Sequence, residues 1–188
     1  MASHEQNQHK QADADGRFRR QDAQFRSQIS KDGPFPPEKG RYLLYCALIC
    51  PWACRTLIVR SLKGLEDVIG IEFLGDETHF IDVSITGYKL GKNGWDFTPE
   101  QEGCTADPVN NFPHTKAIYQ SVDPNYNLRY TIPILYDKKT KKIVNNESSE
   151  IIRFFNSEFD EFVEEKYRGV NYYPEKLRPE IDALNEWV

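Results

Sequence analysis

Apolar and polar positions fall into distinct blocks along the chain. From Met1 to about Lys31 the sequence is polar and almost free of large aliphatics, with Phe18, Phe25 and Ile29 as its only expected docking points. Asp32–Gly40 (DGPFPPEKG) then carries three prolines and two glycines, which stiffen the chain and bar a helix. Residues 1–37 are therefore expected to form a polar, poorly ordered arm and linker. Tyr42 to Leu48 is short, aromatic and aliphatic, as a buried strand is, and Pro51 to Leu62 then sets Leu57, Ile58 and Leu62 at helical spacing. Val68 to Phe73 (VIGIEF), between Gly64 and Gly75, reads as a second strand. From Gly75 to Asn111 glycines punctuate the pattern, and only Phe80 to Ile85 (FIDVSI) alternates as a strand does, so most of this stretch reads as loop. His114 to Val122 makes a short helix that Asp123-Pro124 ends, and Ile132 to Tyr136 and Lys142 to Val144 are brief strands joined by the polar turn Asp137 to Lys141. A last helix of this block starts at a Ser148 or Ser149 cap and buries Ile151, Ile152, Phe154 and Phe155.

This order of elements is compatible with an α/β, thioredoxin-like layer of helices on a mixed sheet, spanning residues 38–157. Residues 158–188 read as an acidic, tyrosine-rich connector followed by the first part of a further helix. Pro179 to Val188 lines up Ile181, Leu184, Trp187 and Val188 on one stripe, an apolar face that expects a packing partner.

Composition narrows the class. The 188 residues carry a net charge of -5, are 39% hydrophobic and 28% charged, and allow one compact soluble domain plus an appendage. The longest apolar run, Tyr42 to Cys54, falls short of the roughly 20 residues that span a membrane, and Pro51 interrupts it. No membrane partner is expected. The first thirty residues lack the apolar block of a secretory signal, and Asp13, Asp15 and Asp22 speak against a mitochondrial address despite Arg17, Arg19, Arg20 and Arg26. A cytoplasmic protein is the expectation, and its four cysteines, too few for a disulfide scaffold, are expected as thiols. The acidic balance argues against nucleic acid.

The candidate chemistry sits where the first strand hands over to the first helix. Cys50 precedes Pro51, which suits the first helical position, so the thiol meets unpaired amides and the positive end of the helix dipole. Such a site can bring a cysteine from about 8.5 down to roughly 3.5–7.5. The alternative is a small buried hydrophobe; the Cys-Pro step at a strand-to-helix junction favours the nucleophile. A metal site of Cys46, Cys50 and Cys54 fits poorly, since structural zinc prefers paired Cys-x2-Cys knuckles, and no metal is expected. Cys54 reads as a helix-face thiol that can also act as a resolving partner, and Cys104 has no companion. Pro133 is either cis, turning the Ile132 backbone toward Cys50, or the plain first residue of a strand. Glu147-Ser148 offers a carboxylate for an amine and a hydroxyl with free amides for a carboxylate, or else simply a helix cap. Trp95 is a hydrophobic plug or a ligand wall, and His79 and His114 are given no role.

Together GRFRRQDAQFR, PPEKGRY, CPWA followed by CRTLIVRSLKGLEDVIG, GWDF, DPNYNLRYTIPILYDKKTKKIVNNESSEIIRFFN and YYPEKLRPEIDALNEW resemble one family, the Xi-class glutathione transferases, which are glutathionyl-hydroquinone reductases. The resemblance implies a thioredoxin-like domain followed by an all-helical domain, of which only the start is present. It implies Cys50 as catalytic thiol and glutathione as co-substrate. Glu147 and Ser148 would hold the glutamyl end, Ile132 beside a cis Pro133 the backbone, with Trp95 and Arg129 as further contacts. The implied partners are glutathione and quinone-type small molecules, with a homodimer for a full-length member. In the implied reaction the Cys50 thiolate takes the glutathionyl group from a glutathionyl-hydroquinone and a second glutathione resolves the mixed disulfide. The alternatives are a non-catalytic glutathione-binding or interaction module, and a glutaredoxin-like thiol transferase or dehydroascorbate reductase. Two departures stand out: Cys54 where the family tends to have His or Ser, and a poor match between Gly70 and Trp95.

Overall fold

The computed structural model describes residues 15–17, 21–69, 83–86 and 90–187. Strand β1 (Tyr42–Cys46) leads into helix α1 (Pro51–Leu62), followed by β2 (Val83–Ile85), the short strands β3 (Leu90–Gly91) and β4 (Gly94–Trp95), and helix α2 (Thr115–Val122). Strands β5 (Ile134–Asp137) and β6 (Lys142–Asn145), helix α3 (Ser148–Ser157), three 3-10 turns and helix α4 (Arg178–Asn185) complete the order. The main sheet runs β2-β1-β5-β6, with β2 parallel to β1 and the other two pairings antiparallel. Strands β3 and β4 form a separate hairpin.

Every residue of β1 is buried because both faces of the strand are covered. Alternation sends Tyr42 toward Phe159 and Cys46 toward Thr56 of α1, while Tyr45 meets Phe97 and gives its hydroxyl to Asp107 at 2.9 Å. Helices α1 and α3 pack on each other, and α2 lies against β4 and β6.

Several expectations are corrected. The parallel neighbour of β1 is Val83–Ile85, the described end of the FIDVSI run. Val68 and Ile69 are buried in a turn after α1, where the Val68 carbonyl accepts from Gly40 at 2.7 Å; Gly70–Phe73 lies outside the described residues, as do Phe18 and His79. Part of the supposed loop is the β3–β4 hairpin, where Gly94 has φ +82° and a Cβ would come within 2.1 Å of Thr115 Oγ1. Residues 21–37, read from composition as part of a poorly ordered arm, are seated on the sheet. Ser27 N–H donates to the Val144 carbonyl at 3.0 Å, Arg26 bridges to Asn145, Arg26 pairs with Glu150, and Ile29 and Phe35 are buried. A few apolar anchors thus suffice to fix a polar stretch whose backbone finds partners on β6.

The connector is fixed as well. Lys63, just past α1 and fully buried, donates to Asp160 at 2.7 Å and to the Val170 carbonyl. Helix α4 is tied back through Asp182, which accepts from Arg153 at 3.3 Å, while Leu184 and Trp187 remain exposed; Val188 lies outside the described residues. Among the described residues no helix is long and apolar enough to cross a membrane.

Candidate functional site

A tight turn connects β1 to α1: the Ala47 carbonyl accepts from Cys50 N–H at 3.1 Å, and the Cys50 carbonyl accepts from Cys54 N–H at 2.9 Å. Pro51 starts the helix with its φ already set and no N–H to lose. Cys50 is therefore the N-cap residue, in extended conformation, at the positive end of the α1 dipole, and its side chain makes no capping hydrogen bond to the helix. It is 6% exposed, and its Sγ lies 3.9 Å from the Ile132 carbonyl. The Ile132-Pro133 peptide is cis.

Cys50 and Ile132 line a cavity of about 180 Å³ whose other walls include Trp95 and Arg129, so four of the seven residues expected at the site meet around one space. Trp95 is carried there by the hairpin, its N–H donating to Thr115 Oγ1 at 3.0 Å. Arg129 is half-buried, with its carbonyl accepting from Tyr126 at 3.1 Å. Trp52, Leu90 and Tyr130 also line the cavity and were missed by sequence reasoning. Trp52 was detectable, since it belongs to CPWA; Leu90 and Tyr130 carry no local signal that separates a wall from a core residue.

Glu147 and Ser148 lie at the start of α3, outside the walls of that cavity as drawn by the described residues. The N-cap of α3 is Glu147, not Ser148 or Ser149: its carboxylate accepts from Ser149 N–H at 3.2 Å and from the Ser149 hydroxyl at 3.0 Å. Asn145 holds the Glu147 N–H at 2.7 Å and donates to Glu150. The link between the two regions is Arg55, one of the residues sequence reasoning overlooked. From α1 it donates through Nε and Nη2 to Ser148 Oγ at 2.9 and 2.6 Å and reaches Glu147 at 3.5 Å.

The other thiols take different partners. Cys46 is fully buried near Thr56, and burial pushes its thiol well above the ordinary cysteine range. Cys54, half-buried, donates to the Leu48 carbonyl at 3.0 Å, and Cys104 to the Thr86 carbonyl at 3.3 Å. His114, given no role from sequence, caps α2 by accepting from Ala117 N–H at 3.2 Å.

Comparison with known proteins bears on what this arrangement is. The family model described as glutathione S-transferase, N-terminal domain, matches residues 49–158. "Glutathione S-transferase omega-like 2" of Schizosaccharomyces pombe is 49% identical over 175 residues, covering 92% of this chain and 52% of that protein. The "glutathionyl-hydroquinone reductase PcpF" of Sphingobium chlorophenolicum is 44% identical over 176 residues, covering 92% of this chain and 50% of that protein. The Xi glutathione transferase ECM4 of Saccharomyces cerevisiae, solved in complex with glutathione, superposes with a TM-score of 0.78 at 38% identity, over 89% of this chain and 54% of that one. The chain thus spans about half the length of the curated relatives it matches. A thiol at the head of α1 facing the Ile132 carbonyl next to a cis proline, on a thioredoxin-like sheet matched over residues 49–158, makes this chain a member of the glutathione S-transferase family, with its resemblance to the Xi class upheld.

Proposed function

We propose that this chain is the glutathione-binding, thiol-bearing half of a glutathione-dependent reductase of the glutathionyl-hydroquinone type. The Cys50 thiolate attacks the sulfur of the glutathionyl group, forming a mixed disulfide while the carbon–sulfur bond to the aromatic ring breaks. The ring carbon takes the electron pair and a proton and leaves as the hydroquinone. A second glutathione attacks the mixed disulfide, releasing glutathione disulfide and restoring Cys50. Trp95, Arg129 and the Ile132 backbone beside Pro133 bound the tripeptide near the thiol, and Glu147 and Ser148 define its glutamyl end. The observation that carries this reading is the seating of Cys50 at the N-terminus of α1, on the wall of a cavity and 3.9 Å from the Ile132 carbonyl. The relatives named for this activity and for glutathione binding support it. Thiol chemistry of this kind suits a reducing cytoplasm, and a full-length member is proposed to pair as a homodimer.

Treatment with glutathione disulfide followed by mass spectrometry tests it. The adduct is expected on Cys50, and Cys50→Ser should lose thiol exchange while still binding glutathione. Labelling confined to Cys46 and Cys104, or exchange undiminished in Cys50→Ser, would sink the assignment. A second reading, a glutathione-binding interaction module, draws on the exposed Leu184 (53%) and Trp187 (76%) of α4. Binding of glutathione by a wild-type chain that has no exchange activity would favour that reading instead.

A further inference from the structure

None of the described residues of the N-terminal arm lines the cavity, yet the arm is bonded to the back of its wall. The bonds converge on Asn146, a residue 4% exposed. Its backbone N–H donates to the Phe25 carbonyl at 3.0 Å and its Oδ1 accepts from Phe25 N–H at 3.1 Å, which fixes the flip of the side-chain amide. Nδ2 is thereby turned to the Tyr119 hydroxyl oxygen at 2.9 Å and to Thr131 Oγ1 at 3.4 Å. The Tyr119 hydroxyl, accepting there, donates to the Thr131 carbonyl at 2.9 Å. Along the wall the carbonyls alternate. Those of Arg129 and Thr131 turn to the hydroxyls of Tyr126 and Tyr119, whose rings stack at 4.6 Å. That of Tyr130 turns to the Thr115 hydroxyl instead, and that of Ile132 toward Cys50 Sγ.

We infer that Asn146 and Tyr119 are positioning residues for the bound peptide: the arm sets the Asn146 amide, the amide sets the Tyr119 hydroxyl, and the hydroxyl sets the peptide group between Thr131 and Ile132. That group is trans, the cis bond among the described residues being Ile132-Pro133, so its carbonyl and N–H point in opposite directions. Holding the Thr131 carbonyl on the Tyr119 side therefore turns the Ile132 N–H away from the core. A thiol peptide whose sulfur is to reach Cys50 must lay its backbone beside Ile132, and the N–H held out there is the donor its carbonyl meets. Neither Asn146 nor Tyr119 is a wall of the cavity, so both act through Thr131. Their bonds lie in a buried series in which each donor has an acceptor, and a change at one member is felt along it. The arm is on this view part of the site, although it contributes no wall.

The inference rests on the glutathione reading above, and an NMR titration of the isotope-labelled chain with glutathione separates the two, because it reads the affinity and the Ile132 amide together. In the wild type the Ile132 amide signal should shift on binding. Tyr119→Phe, which removes one hydroxyl and keeps the stacked ring, should weaken glutathione roughly threefold to tenfold, the worth of one hydrogen bond, and shrink that shift. Asn146→Asp keeps the acceptor for Phe25 N–H but replaces the donor, so the Tyr119 hydroxyl turns to the new carboxylate and leaves Thr131. It should act in the same direction, and it answers the question if Tyr119→Phe unfolds. Wild-type affinity in both variants, or an Ile132 shift as large as in the wild type, overturns the roles of Asn146 and Tyr119 and leaves glutathione binding standing. Weakening that comes with amide signals collapsed throughout the sheet in both variants marks a purely structural role and overturns them too. A wild-type chain that does not bind glutathione overturns both readings.

Discussion

Asp137 ends β5 with its side chain fully buried, and Arg41 meets it with two bonds, Nε at 3.0 Å and Nη2 at 2.6 Å. Thr140 and the Lys139 N–H add donors at 2.7 and 2.9 Å. Burial acts to raise the Asp137 carboxyl, but these bonds outweigh it and hold the group below the usual carboxylate range. A folded-state value below the unfolded one means that the stabilisation is fully present above the unfolded value of about 4 and is lost as pH falls through the folded one. Thermal melts from pH 6 to pH 2 should therefore fall more steeply for the wild type than for Asp137→Asn below about pH 4. Parallel curves would show that the pair contributes nothing to acid sensitivity. At this scale the candidate site was partly legible. Cys50 and Ile132-Pro133 stand out because Cys-Pro and Ile-Pro steps constrain the backbone in recognisable ways. Arg55 does not, because an arginine on a helix reads as a solvated charge until α3 is brought beside it.

Elements were legible where their period was unbroken. Helix α1 has the predicted bounds, and β1 differs from the expected strand only by ending at Cys46. At its first two residues VIGIEF departs from the expected strand for a physical reason: a continuous apolar run is compatible with any fully buried conformation, and Val68 and Ile69 are buried in a turn. The cap of α2 was hidden for a different reason, since histidine is not a usual N-cap and only the structure shows its ring accepting from Ala117 N–H. Replacing it, His114→Ala, should cost about 1 kcal/mol in urea unfolding, with His114→Asp restoring most of it. Thiol exchange at Cys50 should be unchanged in both, because His114 is not among the residues that line the cavity.

At the scale of the whole molecule, the connector is joined to the thioredoxin-like core by a buried ion pair that composition could not reveal. Lys63 has no exposed side-chain surface and Asp160 is one-third exposed. Beside it, Gly64 has φ +61° and the Tyr167 ring occupies the space a Cβ would need, approaching to 2.2 Å. Removing the carboxylate strands a buried ammonium, so Asp160→Ala should cost about 3 kcal/mol in equilibrium unfolding. The double variant Lys63→Met/Asp160→Ala should recover much of that loss, and a full additive loss would show that the charges act independently. The layered architecture was readable from element order, whereas the attachments at both ends were not, since they depend on a few contacts between residues about a hundred positions apart.

One of those attachments changes how the sheet faces its surroundings. Residues 25–27 run antiparallel beside β6 and take up hydrogen-bonding groups at Val144 and Asn146. A strand left with such groups open is a template for another chain, and proteins that keep long bare edges associate through them. This largely polar stretch therefore acts as a guard rail against strand addition between copies. Its composition suits that task, because charged and polar residues such as Arg26, Ser27 and Gln28 offer a further strand little to bury.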